Sequence, residues 1–155
     1  NNVFEGLCVC ESAGGKSNIY KKLLQSKGEK VLAVADGAAF GSQMNLVGEL
    51  LERQKIFFLF APESFEWLIL QSDILNDNEV KKILENPENF IESKDFFSWE
   101  QFFTKLLIEK TNGTYLKYLK RKLNQNYLSE NVKNKILDSD LMKKVVAMVL
   151  GKYSH

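Results

Sequence analysis

Residues 31–36 read VLAVAD, five aliphatic residues closed by an acid, and this stretch decides the predicted fold. A short apolar run bounded by charged residues and glycines is typical of a buried strand. Two further runs have the same character, LCVC at 7–10 and IFFLFA at 56–61. Between them, residues 18–27 and 44–51 carry apolar side chains at helical spacing. This alternation predicts an α/β fold with a short parallel sheet of three or slightly more strands, Rossmann-like, and right-handed crossovers.

After residue 62 the sequence changes to helical patterns. Asp77 and Ser98 are placed to cap two of the predicted helices, and Gly113 is placed to end the second. Three more segments have amphipathic helical patterns, TYLKYLKRKLN, ENVKNKIL and DSDLMKKVVAMVL. We therefore predict an α/β domain at residues 1–75 and a helical region at 76–155, packed on the first as one unit.

Composition and charge describe an ordinary globular chain. Hydrophobic residues make up 45% and charged residues 26%, with a formal net charge of +1. The near-neutral total conceals an asymmetry, because acids predominate between residues 62 and 100 whereas bases predominate between 104 and 124. No apolar run approaches the roughly 20 residues of a membrane helix, so we expect no membrane contact.

The two cysteines, Cys8 and Cys10, are two positions apart in a predicted strand. Their side chains would lie on one face of the sheet, where a disulfide between such close neighbours is geometrically unfavourable. We interpret them as buried thiols in a reducing compartment, which predicts a cytoplasmic protein. The single histidine is the last residue, His155, so a zinc site is not expected.

Three segments follow the predicted strands directly: 11–17, 36–41 and 62–66. Ligands of parallel sheets bind beyond the carboxyl ends of the strands, so these segments are expected to share one rim. Within the first segment, a turn ahead of a helix can hold phosphate through backbone N–H groups and a lysine charge. The candidate phosphate-binding residues are Gly14, Gly15, Lys16 and Ser17.

One interpretation of this segment is a P-loop that binds ATP or GTP. Gly15, Lys16 and Ser17 match the end of the motif G-x-x-x-x-G-K-[ST], whereas Cys10 stands where its first glycine is expected. In this interpretation Lys16 contacts phosphates, and Ser17 and Asp36 hold Mg²⁺.

The same stretch resembles the TOPRIM domain of type IA topoisomerases, primases and related nucleases. In the topoisomerases a strand-ending Glu-Ser pair is followed by isoleucine, lysine and leucine. The matching residues are Glu11, Ser12, Ile19, Lys21 and Leu23. A later strand of the family ends in Asp-x-Asp before a glycine; Asp36 and Gly41 match, and Ala38 replaces the second aspartate. Residues 14–19 and 63–70 also resemble nucleases with overcoming-lysogenization-type TOPRIM domains.

The TOPRIM resemblance implies a Mg²⁺-dependent site that acts on nucleic acid. Glu11 and Asp36 would hold the metal, and Glu63 would replace the missing aspartate. The catalytic residues would be Glu11, Lys16 and Asp36, in a nuclease-like or other phosphoryl-transfer enzyme. The remaining alternative is a non-catalytic Rossmann-like domain that binds a ligand or partner, in which GGKS is only a tight turn.

The basic stretch YLKYLKRKLN is predicted to be a helix with Tyr115, Leu116, Leu119 and Leu123 facing inward. Its outer face would carry four candidate nucleic-acid-binding residues: Lys117, Lys120, Arg121 and Lys122. A solvated basic face is the alternative interpretation of this helix. A protein partner for the helical region is also open.

Overall fold

The structure, a computed structural model, describes residues 6–26, 30–35, 44–53, 56–60, 64–91 and 98–151. Its elements in chain order are α1 (Lys16–Gln25), β1 (Val31–Val34), α2 (Met44–Arg53), β2 (Ile56–Phe60), α3 (Phe65–Gln71), α4 (Asn78–Glu85), α5 (Trp99–Thr111), α6 (Glu130–Asp138) and α7 (Asp140–Val149). None of these helices is long and apolar enough to cross a membrane.

The chain divides into two compact units, Asn1–Pro62 with Lys144–His155 and Glu63–Lys143. In the first unit β1 and β2 pair in parallel, with Leu32 opposite Phe58 and Val34 opposite Phe60. Helix α2 connects the two strands, as a parallel pair requires. A small core of three buried residues lies in this unit: Leu23, Ala35 and Leu50. The domain boundary predicted at residue 75 stays a prediction.

The predicted three-stranded Rossmann-like sheet is wrong. Helices predominate in the described part of the chain, and its sheet contains only β1 and β2. Residues 7–10 form no strand, and Leu7 and Val9 are 59% and 88% exposed. The apolar run LCVC is only four residues long and follows Gly6, which has a φ of 77° in the left-handed region. No described strand pairs with this run, and both of its large apolar side chains are exposed.

The prediction of buried cysteines is wrong for the same reason. Cys8 and Cys10 are both exposed free thiols in the irregular segment ahead of α1. Their sulfur atoms are 4.0 Å apart.

The second unit is a helical domain built around one hydrophobic core. Its core takes residues from α3, α4, α5, α6 and the segments between α3 and α4 and between α5 and α6: Ile69, Leu70, Ile74, Val80, Ile83, Phe102, Phe103, Leu106, Leu107, Leu116, Tyr118, Tyr127 and Val132. The predicted caps are confirmed. Asp77 Oδ1 accepts hydrogen bonds from the backbone N–H groups of Glu79 and Val80, and Ser98 Oγ accepts one from Gln101.

The predicted basic helix at TYLKYLKRKLN is also wrong. Helix α5 ends at Thr111, and Gly113 follows it with a φ of 75°. Beyond that glycine, Leu116 and Tyr118 are buried while Lys117 between them is exposed. The chain then makes a turn, closed by a hydrogen bond of 3.2 Å from the backbone N–H of Lys117 to the carbonyl of Thr114, and forms no helix there. The helical periodicity of the leucines was misleading, because the glycine ends the helix before they begin.

Candidate functional site

The most basic surface among the described residues is the segment 117–124, which we call the basic turn. Its tip is a tight reversal closed by a hydrogen bond of 3.0 Å from the backbone N–H of Lys122 to the carbonyl of Leu119. The two residues form an isolated antiparallel bridge. The basic side chains are therefore displayed on a turn rather than along a helix face.

Two asparagines hold the base of this turn. Asn124 Nδ2 donates to the carbonyl oxygens of Tyr115 and Lys117, at 2.8 and 3.0 Å. Asn126 Nδ2 donates to the same Tyr115 oxygen at 2.7 Å, and its backbone N–H donates to Asn124 Oδ1 at 3.0 Å. Side-chain amides thus satisfy carbonyl groups that no helix or sheet pairs.

Buried hydroxyl groups fasten the turn to the core. Thr111, which is fully buried, donates from Oγ1 to the Leu107 carbonyl at 2.7 Å and accepts from the Tyr118 N–H at 2.9 Å. The Tyr127 hydroxyl donates to the Leu116 carbonyl at 2.7 Å. Burial raises the pKa of Tyr127 to about 12. These contacts fix both ends of the basic turn against the helical domain.

All four predicted nucleic-acid-binding residues lie on the basic turn and are exposed: Lys117, Lys120, Arg121 and Lys122. Lys120 Nζ pairs with Glu100 Oε1 at 2.8 Å. Within the described ranges no acidic side chain pairs with the other three, which we call the turn cations. The structure thus brings together three basic side chains whose charges are not neutralised by a described neighbour.

A cavity of about 220 Å³ lies beside the turn. Its wall combines Lys120, Arg121 and Lys122 with the aromatic side chains of Phe65, Tyr118 and Tyr127. The Phe65 ring is stacked on Tyr118 with centroids 6.3 Å apart, and it meets Tyr127 edge-on at 6.5 Å. Phe65 remains 43% exposed. The site therefore joins positive charge to partly exposed aromatic surface.

Behind this wall lies a buried carboxylate. Glu66 is 5% exposed and accepts hydrogen bonds at Oε1 from the Tyr118 hydroxyl, at 2.6 Å, and from Thr104 Oγ1, at 3.1 Å. Burial, together with the hydrogen bond and charge of Glu66, raises the pKa of Tyr118 well above its ordinary value. The Tyr118 hydroxyl is accordingly committed as a donor to Glu66.

The site predicted at the ends of the strands is described only in part. Glu11 Oε2 pairs with Lys22 Nζ at 3.0 Å, and both side chains are well exposed. Gly14 donates its N–H to Ser12 Oγ at 3.1 Å, and Gly15 precedes α1 with a φ of 130°. Lys16 and Ser17 begin the helix backbone, but their side chains lie outside the described residues, as do Asp36 and Glu63 entirely.

The described residues do not by themselves fit the predicted Mg²⁺ site. They contain no group of three or more carboxylate, histidine or cysteine side chains that could hold a metal ion. Glu11 is the one predicted ligand among them, and the ammonium group of Lys22 already neutralises its charge. The placement of Mg²⁺ stays a prediction.

Sequence reasoning missed the aromatic part of the candidate site. The helical pattern places Tyr115 inward and indicates no role for Tyr118 or Tyr127. Instead Tyr115 is 64% exposed, while Tyr118 and Tyr127 are buried. The signal that could have found Tyr118 is Gly113, because a glycine that ends α5 removes the helical spacing from which the inward positions after it were predicted.

Comparison with protein-family models, curated proteins and solved structures finds no match to this chain.

Proposed function

We propose that this chain binds nucleic acid through the phosphate backbone, with the basic turn as the contact surface. The observation that carries the proposal is the set of turn cations, Lys117, Arg121 and Lys122, exposed and without an acidic partner in the described part of the chain. A polyanion that neutralises such charges releases its condensed counterions, and this release drives binding.

The partners of other basic side chains in the same unit support this choice. Lys110 Nζ contacts Asp77 at 3.0 Å and also contacts Glu79, so its charge is used within the fold. Lys133 pairs with Glu130 at 3.0 Å. By contrast, the turn cations lie close together on a segment that the core holds in place.

The test is a titration of labelled oligonucleotide followed by fluorescence anisotropy at several salt concentrations. The test variant replaces the three turn cations by glutamine. The control variant removes the same charge from three other exposed lysines without a described acidic partner: Lys82→Gln, Lys143→Gln and Lys144→Gln. Circular dichroism and thermal unfolding establish that both variants are folded.

We expect the test variant to bind much more weakly at moderate salt. The slope of log affinity against log salt should fall by about 2, since each phosphate contact to a single strand contributes about 0.7. The control variant should keep the slope and affinity of the unmodified chain. Equal weakening of both variants, or no binding by the unmodified chain, would show that the basic turn is not a nucleic-acid surface.

The Mg²⁺-dependent nuclease and the nucleotide-binding hypotheses stay predictions, and substitutions separate them. Glu11→Gln should abolish metal-dependent strand cleavage if the TOPRIM resemblance is functional, and should spare nucleotide binding. Lys16→Ala should do most damage to ATP or GTP binding if the segment is a P-loop. If the domain is not catalytic, neither substitution changes any turnover.

A further inference from the structure

We infer that the cavity beside the basic turn holds one unpaired base of a single strand, stacked on Phe65. This inference rests on the proposed function. It adds a substrate class, single-stranded rather than duplex nucleic acid, and a binding position for one base on Phe65, which we call the base seat.

The volume of the cavity limits the size of the ligand that it can hold. Its volume of about 220 Å³ is below the roughly 300 to 1,000 Å³ of pockets that enclose drug-sized ligands. A single flat ring system suits such a space. A base inside a duplex is stacked on both faces and paired at its edge, so it cannot enter without being unpaired.

Phe65, Tyr118 and Tyr127, which we call the aromatic wall, offer a ligand ring surface rather than free hydrogen-bonding groups. The hydroxyl of Tyr118 is committed to Glu66, and that of Tyr127 is committed to the Leu116 carbonyl. Phe65 has no polar atom in its side chain and is 43% exposed. An aromatic ring of this kind stacks on any base, because every base has a π face.

The polar side chains that line the cavity also fit a stacked base with a phosphate on either side. Arg121 and Lys122 line the cavity with Phe65, so phosphates on either side of a stacked base would meet positive charge. Asn124 lines it too, but its Nδ2 already donates to two carbonyl groups and its Oδ1 accepts from Asn126. With its amide engaged, Asn124 does not read base edges, and binding should tolerate any sequence.

The experiment compares three labelled probes of one length by fluorescence anisotropy: a mixed-sequence single strand, its blunt duplex, and an abasic strand that has phosphates without bases. We expect the single strand to bind about tenfold or more tightly than the abasic strand, from one stacked base. The duplex should also bind less tightly than the single strand. Single strands of different base composition should bind within a few-fold of one another.

Variants of Phe65 test where the base is held. Phe65→Ala should lower affinity for the single strand about tenfold, and leave affinity for the abasic strand and the salt slope unchanged. Phe65→Trp, which keeps an aromatic face, should retain binding and covers the case in which the alanine variant is unstable. The matched control is Phe90→Ala, because Phe90 is 46% exposed in the same unit but does not line the cavity.

The outcomes separate this inference from the proposed function. Equal affinity for all three probes, with weakening when the turn cations are removed, would overturn the base seat and leave backbone binding standing. No binding of any probe would overturn both.

Discussion

The hydroxyl of Tyr118 donates a hydrogen bond of 2.6 Å to Oε1 of Glu66. Glu66 lies on α3, and Tyr118 lies in the basic turn. Thr104 of α5 donates to the same oxygen at 3.1 Å. One buried carboxylate thus joins two helices to the segment that displays the turn cations.

The substitution Tyr118→Phe removes one of the two hydroxyl donors that satisfy this buried carboxylate. We expect a loss of about 1 to 3 kcal/mol in the free energy of unfolding, because a buried charged acceptor loses a partner. Urea denaturation measures it. Tyr115→Phe is the control, since Tyr115 is 64% exposed and should change stability by less than about 0.5 kcal/mol. Equal effects from the two substitutions would contradict the role assigned to the Glu66 contact.

Alkaline conditions should destabilise the helical domain through its two buried tyrosines. The pKa values of Tyr118 and Tyr127 are raised above the ordinary 10.0 in the folded chain, the latter to about 12. Above about pH 10 the unfolded chain releases these protons while the folded chain keeps them, so stability falls as pH rises. Below that pH both hydroxyl groups stay protonated in the folded and the unfolded chain, so stability should not vary with pH through them. Phenolate absorbance and urea denaturation across this range measure the effect, and Tyr127→Phe should reduce it to the part that Tyr118 contributes.

Lys110 connects the end of α5 to the start of α4 through Asp77 and Glu79. Its side chain is 18% exposed and that of Asp77 is 29% exposed, so solvent screens the pair only in part. Lys110→Met should cost about 1 kcal/mol at neutral pH. Lys133→Met is the control, because Glu130, its partner, is 79% exposed, and should cost less.

The ion pair between Lys110 and Asp77 should also make the stability of the helical domain depend on pH under acid conditions. The hydrogen bond from Lys110 holds the pKa of Asp77 below its ordinary 3.8. The stabilisation is therefore present above that value and is lost as pH falls through the lowered pKa. The stability difference between the unmodified chain and Lys110→Met should therefore shrink as pH falls below 3.8. A difference that stays constant from neutral to strongly acid pH would contradict the pairing.

The serines that precede helices α5 and α6 can be compared directly, because only Ser98 caps its helix with its side chain. Ser98 Oγ accepts a hydrogen bond of 3.3 Å from the Gln101 N–H, whereas Ser129 occupies the cap position of α6 without such a bond. Ser98→Ala should cost about 0.5 to 2 kcal/mol of stability, and Ser129→Ala should cost less. Thermal or urea unfolding distinguishes the two, and a larger cost at Ser129 would contradict the capping geometry.

The thiol of Cys8 should react more slowly than an ordinary cysteine near neutral pH. Partial desolvation and the neighbouring Cys10 sulfur raise its pKa above the ordinary 9.0. The alkylation rate with iodoacetamide, followed by peptide mass spectrometry, should reach half its maximum above that pH, because the thiolate is the reactive form. Cys10→Ala should move the midpoint back toward 9.0. A midpoint below 9.0 in the unmodified chain would contradict this prediction.

Three helix boundaries after residue 64 were predictable because each one is encoded locally. Asp77 and Ser98 cap the helices that follow them, and Gly113 has a left-handed φ directly after α5. The strands at 31–34 and 56–60 were also predictable, since each is a continuous apolar run next to a helical pattern. Such signals need only neighbouring residues to act.

Two of the errors concern features that depend on distant partners. The LCVC run has strand-like composition, but no second strand pairs with it in the described part of the chain. The aromatic wall joins Phe65 to Tyr118 and Tyr127, which are 53 and 62 residues further along the chain. The four basic residues were predicted on the outer face of a helix, whereas their arrangement on a turn depends on the Thr111 and Asn124 contacts.

The two asparagine side chains under the basic turn have a thermodynamic consequence for any ligand. Because Asn124 and Asn126 already fix the backbone at Tyr115 and Lys117, the segment has little conformational entropy left to lose on complex formation. The association is therefore that of a preformed backbone turn with a flexible strand, in which the strand and the exposed basic side chains become ordered.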